Sequence, residues 1–266
     1  RDMDRPPPSR AVPLQAAAIG SGRKPLTADA FFSGGVRVKQ HRRGYRFSID
    51  AVILAGSLDP RPGDTVVDLG TGCGIIPILL AFRRPGVRVW GVEVQAPLAA
   101  LAEENVRANG MDPWVDILNA DLRDIRAGAF GGPVDWVVSN PPYRRGRSGR
   151  VNPDSERAIA RHEIAMTLPD LVAAARRPLR TGGRLLVIYA AERITDLLCQ
   201  MRREHIEPKR LRSIHSDGRS PARLILVEGV KNAGPGVALA APLIVYEEDG
   251  TYTPETRRLF SPDAAG

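Results

Sequence analysis

The sequence predicts an α/β fold built on a doubly wound, mostly parallel sheet. Three observations carry this. Short apolar strands alternate with helical patterns from residue 65 to residue 204. A glycine loop, Gly70-Thr71-Gly72-Cys73-Gly74, follows the first of those strands and opens a helix. Acidic residues recur at successive strand ends, at Asp68, Glu93 and Asp121, where open α/β sheets bind their ligands.

Residues 1–25 read as a disordered N-terminal tail, because Pro6-Pro7-Pro8 and the alanine- and glycine-rich stretch 16–22 carry no period. Residues 31–47 suggest one or two short strands around Gly34-Gly35, with a turn near Gly44. Residues 50–58 are apolar and helical, and Pro60-Arg61-Pro62-Gly63 turns the chain. A strand over 65–68, a helix over 75–83, a strand over 88–94 and a helix over 97–109 follow. In the last helix Leu98, Leu101, Ala102 and Val106 stand at helical spacing, and Gly110 lies just past its end. Strands are expected at 115–119 and 134–139, a helix at 168–179, a strand at 184–189 after Gly182-Gly183, and a helix at 191–204. Two further strands cover 212–215 and 224–228, and 243–247 is an edge strand or a tail segment. The plan is a tail over 1–25, one sheet domain over 26–253 and a C-terminal tail over 254–266. Trp90, Trp114 and Trp136, in or near strands, are expected to fill core.

Composition narrows the function. Apolar residues make up 43% of the 266, enough for a full core. No run approaches the roughly 18 apolar residues of a membrane span, and the polar start of the chain lacks the apolar centre of a secretory signal. Cys73 and Cys199 offer neither a disulfide framework nor metal-ligand spacing. The expectation is a cytoplasmic protein with reduced thiols, no membrane contact and no metal. The net charge is +8, and its distribution is uneven. Arg37, Lys39, Arg42, Arg43 and Arg46 form one basic cluster, and Arg144, Arg145, Arg147 and Arg150 form another. A positive stripe of this kind suits a polyanion such as nucleic acid.

The glycine loop has the spacing acidic-x-Gly-x-Gly-x-Gly, from Asp68 through Gly70 and Gly72 to Gly74. Dinucleotide oxidoreductases use G-x-G-x-x-G/A, which would put Ile75 in the third glycine position. The third glycine falls one residue early, the form seen in doubly wound S-adenosylmethionine-dependent methyltransferases. In that reading Glu93, at the end of the next strand, takes both ribose hydroxyls, and Asp121 accepts from the exocyclic amine of the cofactor.

The second motif is Asn140-Pro141-Pro142-Tyr143, after the fourth strand of the sheet. Proline fixes φ and cannot donate a hydrogen bond, so two prolines hold a stiff loop with outward carbonyls. The Asn140 side-chain oxygen and the Pro141 carbonyl can accept both protons of one –NH2 group, and Tyr143 can stack on a planar ring. An exocyclic amine is a poor nucleophile because its lone pair is delocalised. Two accepted hydrogen bonds draw the nitrogen toward sp3, and it then attacks a sulfonium methyl in line. Positioning can supply up to about 7–11 kcal/mol of such a barrier, and stacking on a base adds about 1–3 kcal/mol. No covalent cysteine and no metal are needed. His162 is read as a capping or packing residue, because amine methylation needs no strong base.

With both motifs in place, residues 28–253 resemble the bacterial tRNA1(Val) adenine N6-methyltransferases, which modify the adenosine just 3′ of the anticodon. The segment Gln40-His41-Arg42-Arg43-Gly44-Tyr45-Arg46-Phe47-Ser48-Ile49-Asp50 is similar to the one that leads into the sheet in that family. Arg144-Arg145-Gly146-Arg147, Ser148-Gly149-Arg150 and Ala160-Arg161-His162-Glu163 resemble its post-motif region. The resemblance implies a seven-stranded methyltransferase sheet with a short N-terminal strand or hairpin extension, S-adenosyl-L-methionine as cofactor and tRNA as substrate. It implies cofactor contacts at Arg46, Phe47, Asp50, Asp68, Gly70, Gly72, Gly74, Glu93, Val94, Asp121, Leu122 and Asn140. Arg42, Arg43, Arg144, Arg145, Arg147 and Arg150 are then the expected RNA contacts. The rival is a protein glutamine N5-methyltransferase, since an amide –NH2 poses the same problem to the same motif. A helical N-terminal domain is expected of that rival, whereas a tail and a short strand segment precede the core here. Another nucleic-acid adenine N6-methyltransferase is the third option.

Overall fold

The structure is a computed structural model and describes residues 26–41, 49–141 and 167–261. It opens with an antiparallel hairpin of β1 (Leu26–Phe31) and β2 (Val36–His41). Helix α1 (Ile49–Gly56) leads into the sheet. The sheet then alternates β3 (Thr65–Leu69), α2 (Ile75–Arg83), β4 (Arg88–Glu93), α3 (Ala96–Ala108), β5 (Val115–Asn119) and β6 (Val134–Ser139). Helix α4 (Leu168–Arg176), β7 (Leu179–Ala190), α5 (Ile194–Arg203), β8 (Ile206–His215) and β9 (Ala222–Lys231) complete the seven long strands. Their order is β5-β4-β3-β6-β7-β9-β8, parallel from β5 through β7, with β9 antiparallel to both its neighbours. Two-residue strands β10 (Ala238–Leu239) and β11 (Leu243–Ile244) pair with the outer strand β8.

The parallel strands are apolar because both of their faces are covered. In β3, Val66 packs into a core shared with α1, α2, α3 and the hairpin, through residues such as Ile53, Ile78, Leu101 and Val38. Val67 and Leu69 face the opposite core, with Leu171, Val172, Leu197 and Met201 of α4 and α5. One-residue alternation on a single strand thus divides the helices between two faces, which makes the fold doubly wound.

Several expectations are corrected. The helix expected over 168–179 ends at Arg176, because Pro178 has no N–H for another helical turn and restricts the residue before it. β7, β8 and β9 are far longer than their apolar centres. β8 reads Ile-Glu-Pro-Lys-Arg-Leu-Arg-Ser-Ile-His, with Ile206, Pro208, Leu211 and Ile214 buried between polar outward residues. Residues 254–259, expected to begin a tail, form helix α6 (Pro254–Leu259). Thr253 caps it by accepting the Thr256 N–H at 3.2 Å, and Thr256 is fully buried. Leu259 lies against the bare Cα of Gly56 in α1, where a Cβ would meet Leu259 Cδ2 at 2.6 Å. Trp114 is 46% exposed rather than in the core, because it sits in the turn before β5; Trp136 is buried.

Candidate active site

The strand order reverses between β3 and β6, with β4 and β5 on one side and β7 on the other. A reversal of this kind opens a crevice at the C-terminal strand ends. The last register partners across it are Asp68 and Val138. Just beyond them Ser139 Oγ donates to the Leu69 carbonyl at 2.8 Å, tying β6 to β3. Asn140 and Pro141 therefore leave the sheet beside the start of the glycine loop, and both are buried.

The loop needs its glycines for two separate reasons. Gly70, Gly72 and Gly74 all have positive φ, at 79°, 59° and 83°, a region that costs other residues strain. Gly74 also caps α2 at a point where α3 comes close: a Cβ there would lie 3.1 Å from Ala102 Cβ. The loop is anchored to β4, since the N–H groups of Gly70 and Thr71 donate to the Val92 carbonyl at 2.9 and 3.0 Å. Glu93 Oε2 accepts the Gly72 N–H and Oε1 the Gln95 N–H, each at 2.9 Å. Each carboxylate oxygen has a second lone pair, so this structural task is compatible with a second donor on Glu93.

Asp68 sits in an environment that disfavours its charge. It is fully buried, and neither of its carboxylate oxygens has a hydrogen-bond partner among the described residues. Burial pushes its pKa up to about 7; the Glu93 carboxylate adds to the rise, and the Thr71 hydroxyl opposes it. That hydroxyl stands outside hydrogen-bonding geometry and has no partner among the described residues. Buried polar groups are nearly always satisfied, so a pair left open in one crevice marks where a polar ligand belongs. Cys73, within the loop, is no nucleophile, because burial pushes its thiol up to about 12.

At the next strand ends the groups are more open. Val94 is 47% exposed, an uncovered apolar side chain directly after Glu93. Asp121 is held by its neighbour, with Arg123 Nε at 3.0 and 3.1 Å from its two oxygens and the Arg123 N–H at 2.9 Å from Oδ1. The guanidinium and that N–H keep the carboxyl ionised, well below the ordinary carboxylate range. The side chain of Leu122 belongs to the core, while its carbonyl accepts from Arg177 Nη2 at 2.8 Å. Asp50 stands half-buried in the first turn of α1. Asp68, Gly70, Gly72, Gly74, Glu93, Val94, Asp121, Asn140 and Pro141 all lie at or just beyond the C-terminal ends of parallel strands, whereas Leu122 turns its side chain into the core. Arg42, Arg43, Arg46, Phe47, Pro142, Tyr143, Arg144, Arg145, Arg147, Arg150 and His162 lie outside the described residues.

Three further residues shape the site. Thr71 fills the space above Gly91, where a Cβ would meet Thr71 Cγ2 at 2.8 Å and Ile117 Cδ1 at 2.9 Å. Asn105 of α3, fully buried, donates to the Cys73 carbonyl at 2.9 Å. The sequence carried a signal for two of them, Gly91 and Asn105: a glycine inside an apolar strand, and an asparagine within the buried stripe of an amphipathic helix.

The donor set fits S-adenosylmethionine. The unpartnered Asp68 carboxylate suits its cationic end, Glu93 suits a ribose diol, and Val94 with Asp121 suits an adenine face and amine.

Comparison with known proteins agrees. Residues 46–205 match the model of the methyltransferase small domain family. A tRNA1(Val) (adenine(37)-N6)-methyltransferase of Porphyromonas gingivalis is 30% identical over 245 residues, covering 89% of this chain and 95% of that protein. A release factor glutamine methyltransferase of Chlorobaculum tepidum is 33% identical over 151 residues, covering 50% of this chain and 49% of its own length. Among solved structures, a predicted O-methyltransferase of Agrobacterium tumefaciens superposes with a TM-score of 0.65 at 21% identity, covering 82% of this chain and 98% of that one; this likeness speaks for the fold. Because the matched span contains the switch point, the glycine loop and the Asn-Pro-Pro-Tyr motif, the chain belongs to the S-adenosylmethionine-dependent methyltransferases of the small domain family, alongside the bacterial tRNA1(Val) (adenine(37)-N6)-methyltransferases.

Proposed function

We propose that this chain methylates N6 of an adenosine in tRNA, at nucleotide 37 of tRNA1(Val), the substrate named for its relatives. The observation that carries the reading is the extent of the match. It runs over 95% of the adenine methyltransferase from P. gingivalis, against 49% of the glutamine methyltransferase from C. tepidum. S-adenosylmethionine supplies a methyl group made electrophilic by its sulfonium. Asp68, Glu93, Val94, Asp121 and the glycine loop hold that cofactor, with Arg46, Phe47, Asp50 and Leu122 beside them. Asn140 and Pro141 accept the two amine protons, and Tyr143 stacks on the base. An amide oxygen and a proline carbonyl accept hydrogen bonds but take up no proton, so the proton released on methylation leaves to water. The adenine must first be drawn out of its stack. Arg42, Arg43, Arg144, Arg145, Arg147 and Arg150 carry the phosphate contacts, and the enzyme works in the cytoplasm, where its substrate is.

The test is transfer of labelled methyl from S-adenosylmethionine to tRNA, followed by nucleoside analysis. Label in N6-methyladenosine is expected, and label recovered only in protein glutamine would move the assignment to the rival. Asn140→Ala is expected to lower kcat by about 10²–10³-fold, the scale of losing one preorganised polar contact at a reacting centre. Affinity for S-adenosylhomocysteine is expected to stay within a few fold. Full activity in that variant would overturn the assigned role of Asn140.

A further inference from the structure

The N-terminal hairpin is fastened to both helices that flank the glycine loop. At its turn, Phe32 stacks on Phe82 of α2 with centroids 4.8 Å apart, and the Arg83 guanidinium lies 5.7 Å from the same ring. Along its length, two asparagines four residues apart, Asn105 in α3 and Asn109 at its C-terminal cap, take the place of a neighbouring strand. Asn109 Oδ1 accepts the Arg37 N–H at 2.8 Å, and its Nδ2 donates to the Arg37 carbonyl at 2.7 Å. Asn105 repeats the pattern on Lys39, accepting its N–H and donating to its carbonyl, both at 2.9 Å. The second Nδ2 proton separates the two: that of Asn109 goes to the Asn105 carbonyl at 2.7 Å, and that of Asn105 to the Cys73 carbonyl inside the glycine loop at 2.9 Å. The next loop residue back, Gly72, is held from the other side by Glu93. Asp29 of β1 lies close enough to Cys73 to disfavour its thiolate, so the hairpin and the loop are near neighbours.

We propose that Asn105 is a positioning residue that couples the hairpin to the methyl-donor loop, so that order in one is order in the other. The inference rests on reading that loop as the cofactor site. A single fully buried amide bridges the β2 backbone and the loop backbone, and loss of either bond leaves a buried polar group unsatisfied. Coupling of this kind is reciprocal: whatever factor the hairpin contributes to cofactor affinity, the cofactor returns to hairpin stability.

The experiment uses S-adenosylhomocysteine as probe on the full chain, by calorimetry and amide hydrogen exchange. In the wild-type protein, saturation with the probe is expected to slow exchange of the Lys39 amide, about tenfold at typical coupling strengths. Asn105→Ala is expected to raise the Kd about tenfold and to abolish that slowing. Its kcat at saturating S-adenosylmethionine stays near wild type while KM rises. Asn109→Ala removes the equivalent clamp without touching the loop and is expected to leave Kd within about twofold. An unchanged Lys39 exchange rate in the probe-saturated wild-type protein would overturn the coupling, whether or not the variants fold. So would a Kd that rises equally in Asn105→Ala and Asn109→Ala, since that marks general loosening. A wild-type protein that fails to bind the probe at all would instead refute the cofactor reading.

Discussion

The two ends of the sheet are built for different tasks. Around β3 and β4 the strands are five and six residues long, the backbone between β3 and α2 visits positive φ three times, and Asp68 is buried without a partner among the described residues. Around β7, β9 and β8 the strands are twelve, ten and ten residues long, with β9 antiparallel to both neighbours; Arg184–Glu228 pairs charges across two of them, and Arg202–Glu207 ties α5 to β8. The first half leaves a buried carboxylate unsatisfied among the described residues, at strand ends of the kind where open α/β sheets bind ligands, while the second half pairs its charges. Strain at a functional site persists only when its surroundings over-determine the fold. The long antiparallel half and the two apolar layers supply that surplus here.

The sharpest way to break the contrast is Asp68→Asn. The folded pKa of Asp68, about 7, lies above its ordinary value of 3.8. Between those values the native state holds a proton that the unfolded chain has released, so stability falls as pH rises through the window of about 4 to 7 and stays reduced above it. The loss approaches about 4 kcal/mol at pH 8. The asparagine variant escapes it. It is expected to unfold at higher urea than the wild type at pH 8, by up to that amount, and to match it near pH 4. Binding of S-adenosylhomocysteine is expected to weaken about 100-fold, the scale of a charge-assisted hydrogen bond in a dry site. A variant less stable than wild type at pH 8 would mean that Asp68 is satisfied in the folded protein.

Gly91→Ala tests the loop from the strand below it. The new methyl would sit 2.8 Å from Thr71 Cγ2, 2.9 Å from Thr71 Oγ1 and 2.9 Å from Ile117 Cδ1. Overpacking of this degree costs about 1–3 kcal/mol. The displaced Thr71 carries the loop with it, so both the urea midpoint and cofactor affinity are expected to fall. A lowered midpoint with unchanged affinity would show that the loop tolerates movement of Thr71.

The same contrast explains what was legible in the sequence. The candidate donor half carried plain motifs, because its glycines and strand-end acids are backbone and chemical necessities that few other residues meet; of Asn-Pro-Pro-Tyr, only Asn140 and Pro141 lie among the described residues. The far half hid its length. Half-solvated antiparallel strands place Glu207, Lys209 and Arg210 among buried Ile206, Pro208 and Leu211, and this blunts the apolar run that marks a strand. Helix α6 was obscured for a tertiary reason: its anchors are Thr253 and Thr256, whose polar side chains are buried only because they bond each other and the Ile244 carbonyl. Asn105 stood in plain view at the i+7 position of the Leu98 stripe, but its two carbonyl partners, Lys39 and Cys73, are 66 and 32 residues away. Long-range polar pairing of that kind has no local signature.

The smallest effect is expected at the far end. Arg184 pairs with Glu228 across β7 and β9 and lies 5.4 Å from the Trp136 ring centroid. Its side chain is 48% exposed, so solvent screens the pair, and Arg184→Ala is expected to cost about 0.5–1 kcal/mol. Glu228 is more buried, at 13%, so removing the arginine leaves a carboxylate short of a partner and places the loss at the upper end of that range. Asp68, by contrast, is buried with no paired cation among the described residues. If the two halves divide their work as described, Arg184→Ala lowers the urea midpoint slightly at pH 8 and leaves the affinity for S-adenosylhomocysteine untouched. A matching loss of affinity would show that the charged ladder of the far strands reaches the donor loop through β6, and the division between a strained half and a supporting half would have to be abandoned.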